Sequence, residues 1–484
     1  MKAEGLRERI RRRLGDEKGR ISKEAPFTVA VCYPSPYRIG MSSLGFQRVY
    51  RALMDAEGLA CERAFLDDEC ESDLARIPER PVTYESLRPI GDLPVLAFSV
   101  AYELEIAGVV RMLKAAGLPP DRHERDERHP IVIAGGPLTF SNPAPLSAIV
   151  DAIVVGEADE RIVTVVRAAR EASDRSATLD ALARLDHMFV PTHHLVLPSV
   201  GAEDDALLPA FSSIRTPHAE LANMFLIEVE RGCSRGCRYC VMRRSTNGGM
   251  RIVPADVVLG AIPSDARRVG LVGAGVSDHP QIVPIVSALA DRGCEVGLSS
   301  LRPDRLASQT HFVAALARAG TRTLTTAIDG TSERVRQILE RQSHPKHLRR
   351  CAELARQHAM DRLKLYLMIG TPGEENADVD ECVELVAELS RILPVVLGVA
   401  PFCPKRNTPL SSAPFAGVRV IDERLDRLRR GLRGRADVRA TSARWAWVEH
   451  VLAQGGEREG AAVIEAVERG GSHRAYTHAF GAEM

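Results

Sequence analysis

Three of the ten cysteines stand in one short loop, and their spacing restricts what this chain can fold into more than any other feature. Residues 230–240 read Glu-Arg-Gly-Cys-Ser-Arg-Gly-Cys-Arg-Tyr-Cys, so Cys233, Cys237 and Cys240 follow the pattern Cys-x3-Cys-x2-Cys. In a chain of 484 residues with a charged N-terminal segment, clustered cysteines indicate a metal site rather than a disulfide framework. The fold therefore has to place three thiolates around one centre.

The spacing also favours one kind of metal centre. Structural zinc sites use four ligands, usually in two pairs, and no second pair follows this loop. A four-iron cube is held by thiolates, and three of them leave one iron open for a further ligand. Gly232 and Gly236 allow the backbone to wrap closely around such a group. We therefore predict that the three cysteines bind a [4Fe–4S] cluster.

The N-terminal part alternates short apolar runs with helical patterns. Helices are predicted at 44–54, 102–117 and 159–171, between runs that are typical of buried parallel strands. The pattern predicts an α/β fold with a Rossmann-like, doubly wound sheet. The predicted strands are Phe27–Tyr33, Val95–Ser99, Pro130–Ala134 and Ala148–Val155.

A second alternation begins before the cysteine loop and contains six strand candidates. Helical segments follow five of them, which predicts a partial (β/α)6 barrel of the TIM type, with its site at the carboxyl ends of the strands. The cysteine loop comes directly after the first strand. The candidates are Met224–Glu230, Arg268–Val272, Glu295–Ser300, Thr321–Ile328, Leu363–Ile369 and Val395–Ala400.

Five segments are predicted from these patterns. They are a charged helix or tail (1–24), the Rossmann-like domain (25–173), a linker (174–217), the barrel (218–415) and a C-terminal helical domain (416–484).

The cysteine motif, its position and the six units resemble the radical S-adenosylmethionine (SAM) superfamily. The resemblance implies that the cluster cleaves SAM to a 5′-deoxyadenosyl radical, with electrons from a flavodoxin or ferredoxin. It also implies which residues of this chain contact SAM. The segment from Val269 to Pro280 is similar to the one that receives the SAM amino group, through Gly273, Ala274 and Gly275.

The ends of further barrel strands also resemble segments of this family. Ser299 and Arg302 are expected near the ribose or carboxylate of SAM. Asp329 stands near the Glu of a family segment that commonly reads Ala-Pro-Glu-Ala-Gly-Ser-Glu-Arg, although the Pro is absent here. Met368 and Ile369 are expected to pack against adenine.

The N-terminal domain resembles the cobalamin-binding type found in a largely uncharacterised branch of these enzymes. Gly135, Gly136 and Ser99 are the expected contacts to the macrocycle or its tail. The loop after the first strand lacks the axial histidine of many such domains, and Tyr37 or Arg38 is expected to face the cobalt. The resemblance implies a cobalamin-dependent methyltransferase that acts on an unactivated carbon.

Two residues outside these motifs are candidates for catalysis. His279 lies beside the SAM segment and is a candidate acid or base, while Cys403 follows the last barrel strand and is a candidate hydrogen donor. For residues of these types a structural role is more common, as a hydrogen-bonding histidine or a small core cysteine.

Other functions stay open at this point. The N-terminal domain could shape the substrate pocket without cobalamin, in a rearrangement, cyclisation or methylthiolation. Cys32, Cys61 and Cys70 match the cysteines of a second cluster in methylthiotransferases only poorly. A cluster-based sensor without catalysis is the third hypothesis.

The charge and apolar content of the chain limit the classes of partner that we expect. The formal net charge is zero, which gives no general attraction to nucleic acid, and no apolar run approaches the length of a membrane span. We expect a cytoplasmic enzyme with a small-molecule or peptide substrate.

Overall fold

A computed structural model describes residues 5–70, 73–76, 78–242, 249–298 and 301–481. The contacts divide the chain into two compact units. The first contains the residues up to Met224 together with Val451–Glu483, and the second contains Phe225–His450.

The first unit is built on a six-stranded sheet. Its order is β2-β1-β3-β4-β5-β6, and all pairs are parallel except β5 with β6. These strands are β1 (Phe27–Pro36), β2 (Leu59–Leu66), β3 (Val95–Ser99), β4 (Ile131–Gly135), β5 (Ala152–Val154) and β6 (Met188–Phe189). Strand β2 is absent from the sequence prediction, because its central Cys-Glu-Arg interrupts the apolar run although Arg63 is fully buried.

Helices cover this sheet because each has one apolar face. Phe46, Tyr50 and Leu53 of α3 are fully buried, for example, at a helical spacing. The helices are α1 (Leu6–Gly15), α2 (Tyr37–Gly40), α3 (Leu44–Asp55), α4 (Ile106–Ala115), α5 (Arg161–Glu171) and α6 (Arg175–Ala183). The doubly wound fold is thus confirmed. Helix α6 and strand β6 lie in the segment predicted as a linker.

The strand order places the topological switch between β1 and β3. In open sheets of this order, ligands bind outside the carboxyl ends of the strands at that point. Glu105 lies there and is buried, with Oε1 accepting from the Ser35 hydroxyl (2.9 Å) and Oε2 from the Ala101 N–H (2.6 Å).

The second unit contains the six strands of the predicted partial barrel. In the described part of the chain they form two groups, β11-β10-β7 and β12-β13-β14-β15, and β8 pairs with β9. The strands are β7 (Met224–Glu228), β8 (Glu230–Gly232), β9 (Met250–Ile252), β10 (Arg268–Val272), β11 (Glu295–Gly297), β12 (Thr323–Asp329), β13 (Arg362–Ile369), β14 (Val395–Pro401) and β15 (Ala436–Ala440).

The helices of this unit follow the strands in alternation. They are α7 (Ala255–Ala261), α8 (Ile282–Asp291), α9 (Pro303–Ser308), α10 (Thr310–Arg318), α11 (Glu333–Ile338), α12 (Pro345–Gln357), α13 (Asn376–Ser390), α14 (Val418–Gly431) and α15 (Ala443–Gln454). Two last helices, α16 (Glu457–Glu468) and α17 (His473–Phe480), belong to the first unit.

The C-terminal region differs from the all-helical prediction in two ways. Strand β15 pairs in parallel with β14 and adds a strand beyond the six. Helix α16 packs on the first unit so closely that a Cβ on Gly460 would lie 1.8 Å from the Pro145 carbonyl oxygen. The segment predicted as one helical domain is therefore shared between the two units. Among the described helices, none has the length and apolar character needed to cross a bilayer.

Candidate functional site

The cysteine loop leaves the barrel at the carboxyl end of β7. Gly232 has a φ of +90°, a conformation that favours glycine, and it turns the chain into the loop. The Cys233 N–H then donates to the Gly249 carbonyl (3.0 Å), which ties the start of the loop to the strand β9 region. Cys237 is buried, and Cys233 and Cys240 are partly buried.

Donor groups surround the three thiols. The Arg235 N–H lies 3.5 Å from Cys233 Sγ, the Met242 N–H bonds to Cys240, and the Arg341 side chain bonds to Cys237. Burial raises the pKa of Cys233 and Cys240, and these N–H groups oppose that effect because they stabilise thiolates. A set of thiols with donors directed at the sulfurs fits an iron–sulfur cluster, which binds thiolates and is tuned by such hydrogen bonds.

The described residues contain no group of three or more His, Cys, Asp or Glu side chains that converges on a single metal ion. A cube does not require such convergence, because each thiolate binds a different iron atom.

A buried carboxylate ties the loop to the next strand ends. Asp278 accepts two hydrogen bonds from Arg235 (both 2.8 Å) and one from Arg305 (2.8 Å), and Arg302 Nε is 3.8 Å away. The Asp278 side chain is 3% exposed. The guanidinium groups lower its pKa to about 2 despite burial. The charge of Arg235 is thus already paired within the protein.

A second carboxyl group holds the glycine segment predicted to receive SAM. Glu230 Oε1 accepts the Gly275 N–H (2.6 Å), and the Ala274 N–H also bonds to this carboxyl. Glu230 is fully buried, and its Oε2 has no hydrogen-bond partner among the described residues. Burial, together with the nearby Glu228 and Asp278, raises its pKa to about 7.

The end of β12 forms a third connection to the cysteine loop. Asp329 Oδ2 lies 2.6 Å from Arg341 Nε, and the Tyr239 hydroxyl bonds to Asp329. Because Tyr239 stands between two of the cysteines, Asp329 acts on the loop through Tyr239 and Arg341. Its φ of +59° is uncommon for a non-glycine residue and marks a specific backbone geometry at this strand end.

The other residues predicted around SAM lie on the same face of the barrel in different environments. Arg302 is buried and its Nε lies 3.2 Å from Asp304 Oδ1. Met368 packs against a small apolar cluster that includes Leu339, whereas Ile369 is fully buried. Successive strand residues point to opposite faces, so these two cannot both cover one adenine ring. Ser299 lies outside the described residues.

The two catalytic candidates differ in what their side chains contact. His279 is 1% exposed, its Nε2 bonds to the Val253 carbonyl (2.9 Å), and its Nδ1 accepts the Gln281 N–H (3.0 Å). Both ring nitrogens are therefore engaged, which corrects the expectation of an acid or base. Cys403 is partly buried beyond the carboxyl end of β14, so its role as hydrogen donor stays a prediction.

The residues expected to contact cobalamin differ in their exposure to solvent. Tyr37 is fully buried, stacks on Tyr84 and bonds through its hydroxyl to Glu17 (2.7 Å), which corrects the expectation that it faces cobalt. Arg38 pairs with Glu220 (3.1 Å).

The two glycines are partly exposed, and protein atoms lie on the side where a Cβ would stand. A Cβ on Gly136 would lie 2.7 Å from the Val100 carbonyl oxygen and 3.3 Å from Ser99 Oγ, and a Cβ on Gly135 would meet Val154 at 3.5 Å. Backbone packing thus accounts for the glycine at position 136, and the contact of both glycines to a macrocycle stays a prediction.

Two family descriptions match the chain. "Radical SAM proteins, N-terminal" matches residues 45–191, and "Radical SAM superfamily" matches residues 227–386. The chain belongs to the radical SAM superfamily. The second match begins in β7 and includes the cysteine loop, so the radical SAM assignment and the thiol geometry concern the same residues.

Three proteins that are similar to this radical SAM protein share little sequence identity with it. An uncharacterized protein of Methanocaldococcus jannaschii is 24% identical over 396 residues, which are 80% of each chain. The radical SAM methyltransferase TsrM from Kitasatospora setae, with cobalamin and a [4Fe–4S] cluster bound, is 14% identical with a TM-score of 0.53, over 79% of this chain and 74% of TsrM. The cobalamin-dependent radical enzyme OxsB with aqua-cobalamin bound is 10% identical with a TM-score of 0.50, over 84% of this chain and 56% of OxsB. These structures share its fold.

Four charged or polar residues of the site were missed in the sequence: Glu230, Tyr239, Asp278 and Arg341. Glu230, Tyr239 and Asp278 carry a local signal, because they stand beside the cysteines or the glycine segment. Arg341 carries none, since only the folded barrel brings it to Cys237.

Proposed function

We propose that this radical SAM enzyme reduces SAM at a [4Fe–4S] cluster held by Cys233, Cys237 and Cys240, and that the resulting 5′-deoxyadenosyl radical abstracts hydrogen from an organic substrate. The observation that carries the proposal is the set of three thiols with donors directed at them, at the end of the first barrel strand. SAM and the cluster supply the radical chemistry, while the protein orients the reactants and excludes water.

The chain's own residues hold this arrangement in place. Asp278 accepts hydrogen bonds from Arg235 of the loop. Asp329 bonds to Tyr239 and pairs with Arg341, whose side chain bonds to Cys237. Glu230 accepts hydrogen bonds from the glycine segment. The contacts of Asp278 and Glu230 connect the loop region to the end of β10, and those of Asp329 and Arg341 connect the loop to the end of β12. The cysteines are thereby placed before any cofactor arrives, which lowers the cost of ordering them on binding.

Anaerobic reconstitution tests this proposal. We expect about four iron atoms per chain and formation of 5′-deoxyadenosine after addition of dithionite and SAM. Replacement of Cys237 by Ser is expected to abolish both, whereas Cys294→Ser is the matched control, because Cys294 is a buried cysteine whose thiol donates to the Ala266 carbonyl (3.3 Å) outside the loop. A chain that binds zinc, or keeps its iron without the three thiols, would contradict the proposal.

The finer proposal is a cobalamin-dependent methyl transfer to an unactivated carbon. It is supported by the fold shared with TsrM and OxsB and by the β1/β3 switch of the N-terminal sheet. Because Tyr37 is fully buried and Gly136 packs against the Val100 backbone, we derive no step through cobalamin. Incubation with hydroxocobalamin, followed by gel filtration and cobalt analysis, tests this part: a cobalt-free protein would reject it.

The alternative keeps the radical and omits cobalamin, with the N-terminal domain shaping the substrate site. The buried Tyr37 and the packing of Gly136 against the Val100 backbone favour it. Within it, an iron content near eight per chain would indicate methylthiolation with a second cluster, and a content near four would indicate rearrangement or cyclisation. Cys32, Cys61 and Cys70 are all buried in the first unit, and burial raises the pKa of each thiol.

A further inference from the structure

The sheet β12-β13-β14 has one buried face and one face that is open to solvent. In β13, Leu363, Leu365 and Leu367 are buried, and the residues between them are partly exposed or exposed. Successive strand residues point to opposite faces, and the helices of a barrel cover its outer side, so the open face is the interior one. Its members are Thr325 and Ala327 of β12, Lys364, Tyr366 and Met368 of β13, and Gly398 and Ala400 of β14.

Two polar side chains of the open face stand side by side without a partner. Thr325 and Lys364 are paired in the register of β12 and β13. Within the described part of the chain, neither side chain makes a hydrogen bond or an ion pair. Asp437, a carboxylate in the same row, lies two strands away from Lys364, about 10 Å at the usual strand spacing. It already accepts a hydrogen bond from Arg439 (2.8 Å). The positive charge of Lys364 is therefore available to a ligand.

Tyr366 fixes where that charge lies. The Lys364 ammonium is 4.9 Å from the centroid of the Tyr366 ring, which is a cation–π contact. The ring also lies beside Gly398, where a Cβ would come within 3.1 Å of Tyr366 Cδ1. Tyr366 is nevertheless 43% exposed, and its hydroxyl has no hydrogen-bond partner among the described residues. An ammonium group and two hydroxyl groups thus lie together on the open face.

The open face continues to the cysteine loop. Met368 lies two residues beyond Tyr366, about 7 Å further along β13. Met368 and Tyr239 of the cysteine loop pack against the same apolar cluster, which contains Leu339 and Phe402. An organic molecule anchored at Lys364 can therefore extend along Tyr366 and Met368 towards the cysteine loop.

We propose that the open face binds the substrate, and that the substrate is an organic acid whose carboxylate accepts hydrogen bonds from Lys364, Thr325 and Tyr366. The inference rests on the proposed function and adds the substrate class to it. An ammonium group has three donors and no acceptor, and each hydroxyl adds one donor, so the three side chains together suit an oxyanion. Hydrogen bonds from a charged donor to a carboxylate are among the strong ones. The uncharged part of the acid then lies along Met368, on the side of the cysteine loop.

The test compares probes that differ only in charge. Phenylpropanoate and butanoate carry a carboxylate, and phenylpropanamide and butanamide replace it by a neutral amide of similar size. Binding is measured anaerobically by ligand-observed NMR titration of reconstituted protein. S-adenosylhomocysteine is present throughout, so that the SAM site is already occupied. Wild type is expected to bind each carboxylate at least tenfold more tightly than its amide.

Variants of the open face locate this preference. Lys364→Met is expected to remove it, because the ammonium is deleted and a side chain of similar length is kept. Tyr366→Phe keeps the ring beside Lys364 and removes only the hydroxyl, so the preference should fall by a factor of two to three. Lys346→Met is the matched control, since it removes the same charge from an exposed position on α12 outside the open face. Thermal midpoint and iron content verify that each variant is folded and holds its cluster.

The outcomes decide the substrate class. A preference that Lys364→Met abolishes and Lys346→Met retains supports the inference. Equal binding of carboxylates and amides by wild type, or a preference that survives in Lys364→Met, would overturn it. If Lys364→Met does not fold, an unchanged preference in Tyr366→Phe overturns it instead. If inorganic phosphate binds in a manner that depends on Lys364 and the carboxylates do not, the carboxylate class is wrong.

Formation of 5′-deoxyadenosine from SAM and dithionite separates this inference from the proposed function. If wild type forms 5′-deoxyadenosine but shows no preference for carboxylates, the inference fails and the radical chemistry stands. If wild type shows the preference but forms no 5′-deoxyadenosine, the open face binds an acid and the radical function fails.

Discussion

Replacement of Asp278 by Asn is expected to destabilise the second unit measurably. The carboxylate accepts hydrogen bonds from Arg235 and Arg305, and only 3% of its side chain is exposed. Its pKa falls from 3.8 to about 2, and one pKa unit corresponds to about 1.4 kcal/mol. After the cost of burial is subtracted, the surrounding guanidinium groups therefore stabilise the ionised carboxylate by about 2–3 kcal/mol.

The free energy of unfolding is expected to fall by nearly that value in Asp278→Asn, because Asn leaves Arg235 without its carboxylate partner. Arg235 keeps a hydrogen bond to Gln342 Oε1 (2.9 Å) and a 3.5 Å contact to Asp304, and its side chain is 20% exposed. Truncating one partner of a buried pair costs about 3–5 kcal/mol, and the exposure of the two arginines reduces this. We expect a decrease of about 2 kcal/mol in the free energy of unfolding.

Urea unfolding followed by tryptophan fluorescence measures this decrease. Both tryptophans, Trp445 and Trp447, lie in the second unit, so the signal reports on the unit that contains Asp278. With a urea slope of about 2–3 kcal/mol per molar, the midpoint should fall by about 0.7–1 M. The iron content of reconstituted protein should fall as well, because Arg235 belongs to the cysteine loop.

Arg305→Gln is the matched control. It removes one partner of the same carboxylate, but its side chain is 44% exposed, and exposed pairs contribute less than about 1 kcal/mol. If Asp278→Asn shifts the midpoint no further than Arg305→Gln does, the argument from burial is refuted.

Three further predictions concern groups elsewhere in the fold. Arg63→Met leaves the buried carboxylates of Glu17 and Glu85 without their shared partner, so the first unit should lose about 3 kcal/mol in chemical unfolding; an unchanged transition would show that the network is dispensable. Burial raises the pKa of Glu105, so its neutral form is favoured in the folded state. Stability from this group is present below the usual carboxyl range and is lost as pH rises through the folded pKa. Glu105→Gln should therefore flatten the decline in thermal midpoint as pH rises above the usual carboxyl range, and an identical slope in both proteins would argue against it. Gly273→Ala should weaken SAM binding at least tenfold in calorimetry because the added Cβ meets the Glu230 carboxyl, and Glu230→Ala in the same chain should relieve the steric part; equal binding by Gly273→Ala and wild type would contradict the close approach.

The sequence alone determined the features that depend on near neighbours. Apolar runs and helical periodicity predict most strands and helices, because burial on one face repeats every two or 3.6 residues. Three cysteines within eight positions must lie together in any fold, so the cluster ligands are readable from spacing. Strand β2 was missed for the same reason: Arg63 breaks the apolar pattern, and its partner Glu17 is 46 residues away.

Only the tertiary structure decided which charged groups meet at the site. Asp278 reaches Arg235 across 43 residues, and Arg341 reaches Cys237 from beyond β12. The fold also enclosed Tyr37 and engaged both nitrogens of His279, residues whose types suggested ligand contacts. Such pairings depend on which strand ends become neighbours, and that is set by the packing of the whole sheet and not by any local pattern.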